Sequence, residues 1–141
     1  MAPNAFLFWL PQDAGLLPIL LLINAGLSWY NTFICFFDQT IVRQLYQGPN
    51  ASQVTGLSAR TFGGWTILSG FVRLYAAYNI TNPPVYALAF WAYFAIVTHW
   101  TSELVIFRTT KFGVPTYINI AIDIGGLVWM FSQWNAYVGG G

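Results

Sequence analysis

From Ala14 to Phe37 no side chain is charged. At ~1.5 Å per residue, such a run in helical form covers the ~30 Å hydrocarbon core of a bilayer. The rest of the chain fits that constraint. Its 141 residues include 5 Lys+Arg and 4 Asp+Glu, while 57% are hydrophobic and 19% aromatic. So few charges cannot supply the polar skin of a water-soluble domain. A soluble globular enzyme and a disordered chain are therefore excluded. A net charge of +1 also excludes a nucleic-acid binder, because it offers no basic surface for phosphates. The one cysteine, Cys35, rules out an internal disulfide framework and a thiolate zinc cage.

The hydropathy pattern predicts an all-α integral membrane protein with four transmembrane helices in a compact antiparallel bundle. The spans fall at about 15–37, 59–80, 83–107 and 115–137 and form a single domain. Pro18 sits in the first turn of span one, where a missing N–H costs little. Residues 1–12 lack the basic start of a signal peptide, so the first span is expected to be a retained anchor, with Phe6, Phe8 and Trp9 at the interface. Ser58 is expected to cap span two. Asn82, before Pro83, is expected to cap span three. The very short connection between spans two and three makes them a hairpin.

Basic residues sort by connection. Arg43 and Arg60 lie in or beside the first, and Arg108 and Lys111 in the third. The positive-inside tendency places connections 38–58 and 108–114 in the cytosol and both termini on the far side. The sequons at Asn50 and Asn79 are expected to carry no glycan, the first being cytosolic and the second too close to the membrane.

Polar and small residues recur at helical spacing: Asn24, Ser28, Asn31 and Cys35 on span one; Ala59, Gly63, Thr66, Gly70, Arg73 and Ala77 on span two; Asn119, Asp123, Gly126, Met130 and Gln133 on span four. Small residues that allow close approach, and polar groups that bond across, hold helices together in lipid. Gly63, Gly70 and Gly126 are read as packing positions. Arg73, His99, Glu103 and Asp123 need partners or a role at membrane depth, and with Arg60 they form the expected polar network. Antiparallel geometry predicts Arg60 paired with Glu103. His99 would lie alongside, using Glu103, a backbone carbonyl or a Thr hydroxyl. Arg73 is expected to snorkel to the opposite interface or bond to carbonyls. Ile41, Val42, Leu45 and Tyr46 form a short apolar face suited to the interface or to a partner. No nucleotide fingerprint, histidine-rich metal cluster or nucleophile arrangement is present, so no cofactor or metal is expected. Two other classes stay open on the residues: a membrane isomerase-like enzyme using Glu103 and Asp123, and a proton-coupled four-span carrier using Glu103.

Three segments resemble a known family. Leu57-Ser58-Ala59-Arg60-Thr61-Phe62-Gly63-Gly64-Trp65-Thr66, running on to Val72-Arg73-Leu74-Tyr75, is similar to the signature of the ergosterol biosynthetic protein 28 family. His99-Trp100-Thr101-Ser102-Glu103-Leu104-Val105-Ile106-Phe107-Arg108-Thr109 resembles the second signature, and Leu127-Val128-Trp129-Met130 the third. The resemblance implies a multi-pass endoplasmic-reticulum protein of sterol biosynthesis that acts as a non-catalytic scaffold. Its implied partners are the sterol C-4 methyl oxidase, the C-3 dehydrogenase/decarboxylase and the 3-keto reductase. It brings no catalytic residue and assigns no role to Asp123. Because the sequence ends in Val138-Gly139-Gly140-Gly141 with no lysine retrieval signal, retention is expected to depend on partners. Arg43, Tyr46, Trp65, Arg108 and Lys111 are the expected docking residues. A homodimer is expected, with membrane lipid and a sterol as further ligands.

Overall fold

Helices account for all the regular structure among the described residues of the computed structural model, which are 10–12 and 15–139. Phe6, Phe8 and Trp9, and the side chain of Ile41, lie outside what is described. The elements are α1 (Leu17–Phe37), α2 (Gln39–Leu45), a 3-10 turn (Ala51–Gln53), α3 (Gly56–Tyr78), α4 (Pro83–Val105) and α5 (Val114–Val138).

Local chemistry sets the boundaries. Pro18, Pro83 and Pro115 each stand in a first turn, where no intrahelical N–H is missed. Asn82 caps α4 by accepting from Val85 N at 3.3 Å. The start of α3 differs from the expectation. Thr55, not Ser58, is the N-cap, and the two form a reciprocal capping box. Connection 38–58 also holds a helix of its own. Asp38 ends α1 and caps α2, accepting from Thr40 N at 3.0 Å. Val42, Leu45 and Tyr46 are buried against the bundle, so this apolar face is already covered and is not free for an interface or a partner.

Two helices, α1 and α5, are long and apolar enough to cross a membrane. At 23 residues each, α3 and α4 are as long, but glycines, hydroxyls and arginines dilute α3, and polar and aromatic side chains dilute α4. By length and apolarity alone, then, two of the four expected spans stand out.

The most extensive packing joins α1 to α3, followed by α4 to α5. Along the first pair, Cys35 faces Gly63, Trp29 faces Gly70 and Ser28 meets Arg73, so the helices run in opposite directions. Along the second, Tyr86 Oη donates to Met130 O at 2.6 Å and Tyr93 lies on Gly126, again with opposite directions. One apolar cluster, around Leu21, Ala77, Tyr86 and Met130, fills one end of the molecule. Another, around Cys35, Ala59, Ile96 and Trp100, fills the other.

Candidate functional site

Between those clusters lies a polar centre to which all four long helices contribute. Arg73 of α3 is 6% exposed. Its Nη1 donates to Ser28 Oγ of α1 at 2.6 Å, its guanidinium lies 4.5 Å from the Tyr93 ring centroid on α4, and Nη2 is 3.7 Å from Asp123 Oδ1 of α5. Trp100 Nε1 donates to Asp123 Oδ2 at 3.0 Å, and Asn24 donates to the Tyr93 hydroxyl. Arg73 Nε is buried with no hydrogen-bond partner. Arg73, Ser28, Asn24, Trp100 and Asp123 border a cleft of about 80 Å³, which Asn31 and Asn119 also line.

This arrangement corrects the expectation that Arg73 snorkels outward. Helical side chains lean toward the helix N-terminus, so Arg73 reaches back toward Ser69 and the middle of the molecule rather than toward the nearer end. There α5, returning past α3, supplies Asp123. A buried charge pair of this kind is costly to break, because the remaining partner stays buried and uncompensated.

A second polar cluster lies at the end where α1, α2, α3 and α4 meet the connections. His99 Nε2 shares a hydrogen bond with Tyr46 Oη at 2.8 Å, and Nδ1 is 3.9 Å from Glu103 Oε1. Thr109 Oγ1 donates to Glu103 Oε2. The imidazole is ringed by Phe62, Trp65 and Trp100, and a cavity of about 210 Å³ adjoins it. Burial, helped by the nearby Glu103 carboxylate, pushes the Tyr46 hydroxyl well above its ordinary value, so it stays protonated. Tyr46 is therefore an interior partner of His99 and not a docking residue. The connections are stitched together beside it: Gly48 N donates to Thr109 O at 2.8 Å and Asn50 N to Arg108 O at 3.2 Å. Arg108 takes the left-handed φ of 55° at this crossing.

The expected Arg60–Glu103 pair does not form. Arg60 is exposed, and Glu103 is held by Thr109 and His99. Glu103 turns toward the 106–110 segment of its own connection, a nearer partner than the start of α3. Arg43, Arg108 and Lys111 are exposed, and Trp65 is half-buried. Gly63 lies against Cys35 and Phe36, Gly70 against the Trp29 indole, and Gly126 against the Tyr93 ring. Among the described residues, no group of three or more His, Cys, Asp or Glu is placed to hold a metal ion.

Tyr93 and Trp100 were missed as members of the polar centre. The signal was available: Tyr86, Tyr93 and Trp100 recur every seven residues and share the buried face of α4. Their polar tips sit on apolar bodies, so they read as core rather than as hydrogen-bonding groups.

Comparison with known proteins decides the family. The family described as "Erg28 like protein" matches residues 17–128. The chain belongs to the Erg28 family. It is 32% identical to ergosterol biosynthetic protein 28 of Gibberella zeae, over 86% of this chain and 90% of that one. It is 35% identical to the Saccharomyces cerevisiae protein of the same name, over 89% and 84% of the two chains. With the Mus musculus homolog the identity is 42%, over 56% of each chain. The Erg28 match contains both polar clusters, from Asn24 to Asp123. No solved structure matches this chain.

Proposed function

We propose that this chain is a non-catalytic membrane scaffold of sterol biosynthesis. The observation that carries the reading is the match, over most of the chain, to relatives named ergosterol biosynthetic protein. The apolar surface supports a membrane setting. Leu68, Phe71 and Tyr75 on α3 and Leu88, Trp91 and Phe94 on α4 are exposed, as are large apolar side chains of α1 and α5. In water a surface of this extent would aggregate, whereas in lipid it is solvated. All four long helices then span the bilayer as an antiparallel bundle, in the endoplasmic reticulum. The end bearing Arg43, Arg60, Arg108 and Lys111 faces the cytosol, and the termini face the lumen.

The two polar clusters support a structural rather than a chemical role, because their groups bind helices and connections to one another. The scaffold holds the sterol C-4 methyl oxidase, the C-3 dehydrogenase/decarboxylase and the 3-keto reductase, and acts as a homodimer. Arg43, Arg108 and Lys111 surround the stitched connections and are the exposed groups available for docking.

Affinity purification of the chain from native membranes tests this directly. Recovery of the oxidase and dehydrogenase, with no turnover of C-4 methylated sterols by the purified chain, is the expected result. Sterol conversion by the chain alone would overturn it.

A further inference from the structure

The central cleft is a chemically incomplete site. Arg73 Nε is a cationic donor with no partner, although its residue is 6% exposed. Opposite stands the Asp123 carboxylate, 3.7 Å from the guanidinium and not closed onto it. A lone anion in the cleft would be repelled by Asp123, and a lone cation by Arg73. A neutral hydroxyl satisfies both, since its oxygen accepts from the guanidinium and its proton goes to the carboxylate.

The cleft also has a way in. Helices α1 and α5, the two most suited to lipid, touch each other sparingly. The residues that line the cleft on those helices include Leu27, 47% exposed, and Ile122, 36% exposed. A lateral slit with an apolar rim thus leads from the lipid side to a polar floor. About 80 Å³ admits a hydroxyl and the carbons that bear it, but not a whole lipid. Trp65 and Trp100 line the cleft, and aromatic surface suits a rigid ring better than a branched glycerol.

We propose that this slit is a binding site for a 3-hydroxysterol, whose hydroxyl bridges Arg73 and Asp123 while its ring system lies across the α1–α5 opening. The inference rests on the membrane reading above and adds a ligand to it.

The test uses the full chain in lipid nanodiscs and a photoreactive sterol with a free 3-hydroxyl. Labelling is expected on α1 and α5 peptides around Leu27 and Ile122. Excess unlabelled 3-hydroxysterol should suppress it. The hydroxyl-free hydrocarbon cholestane should compete at least about tenfold less well, because it leaves the charged pair unsatisfied. Leu27→Trp, at an exposed rim position, should abolish labelling while leaving the melting temperature unchanged. Labelling spread evenly over the lipid-facing helices, equal competition by cholestane, or labelling unaffected by Leu27→Trp would each overturn the site. Purifying the same variant from native membranes separates the two readings. Sterol labelling lost with enzymes still recovered is the expected pattern, and enzymes absent from wild-type preparations that still label would refute the scaffold alone.

Discussion

The central and terminal polar clusters each contain an acid, a base and an aromatic hydroxyl, yet they are built on opposite plans. In the central one, Arg73 and Asp123 are 50 residues apart and come from different helices, with Ser28, Tyr93 and Trp100 drawn from two more. In the terminal one, His99 and Glu103 are neighbours on a single helix, and the outside partners, Tyr46 and Thr109, come from the connections. The first holds helices to one another in the interior, with its ion-pair side chains 7% and 14% exposed. The second holds connections to a helix end, with its ion-pair side chains 27% and 19% exposed. Depth therefore decides what each is worth: loss of a partner at the centre strands a charge, while loss of one at the end is relieved by solvent.

The largest effect should follow from breaking the central pair on one side. Arg73→Met leaves Asp123 buried without its cation and should cost about 3–5 kcal/mol, by analogy with buried pairs in soluble proteins. Arg73→Met combined with Asp123→Leu should recover most of that loss. Thermal unfolding in detergent measures both. A double variant as unstable as the single one would show that Arg73 acts through Ser28 and Tyr93 rather than through Asp123.

Next in size are the glycines that let the helices close around the centre. A Cβ at Gly70 would run into the Trp29 indole, and one at Gly126 into the Tyr93 ring beneath Arg73. Gly70→Ala and Gly126→Ala should each cost about 1–3 kcal/mol through overpacking. By contrast Gly64 and Gly125, next in sequence to two of the packed glycines, have open space at the Cβ position. Gly64→Ala and Gly125→Ala should be neutral or slightly stabilising, since alanine is the better helix former. Equal losses at all four positions would show that the cost lies in the helix backbone and not in the helix contacts.

These contrasts also show what the sequence made legible. Spacing alone put Gly63, Gly70, Arg73 and Ala77 on one face of α3, because a helix repeats every 3.6 residues whatever it packs against. Proline and asparagine fixed the start of α4, since capping is a local matter. The Arg73–Asp123 pair was out of reach, because it depends on where α5 lies relative to α3, and no periodicity encodes the distance between two helices. Helix α2 was missed for a different reason. Seven residues are too few for a clear period, and Val42 and Leu45 looked like free surface until the bundle that covers them was in view.

A smaller effect is expected at the terminal cluster. Tyr46→Phe keeps the ring stacked on Trp100, at 5.9 Å between centroids, and removes only the hydrogen bond to His99. The loss should be about 1 kcal/mol in thermal unfolding. A loss as large as that of Arg73→Met would make the terminal cluster as decisive as the central one and erase the distinction of depth.

The smallest effect is the most discriminating for the cytosolic end. Arg60 begins α3 and Glu103 nears the end of α4, so hairpin geometry alone made them a natural pair. Glu103 is instead occupied by Thr109 and His99, while Arg60 is exposed near Gln39 and the first turn of α3. Residues that share no partner contribute independently. Arg60→Ala and Glu103→Ala should therefore add to within about 0.5 kcal/mol in a double-mutant cycle. Glu103→Ala and Thr109→Val, which touch directly, should not add. Coupling in the first cycle and additivity in the second would mean that Glu103 turns toward α3 in the bilayer, loosening the stitch between the two connections. Arg60 would then belong to the helix framework and no longer to the exposed cationic rim that surrounds it.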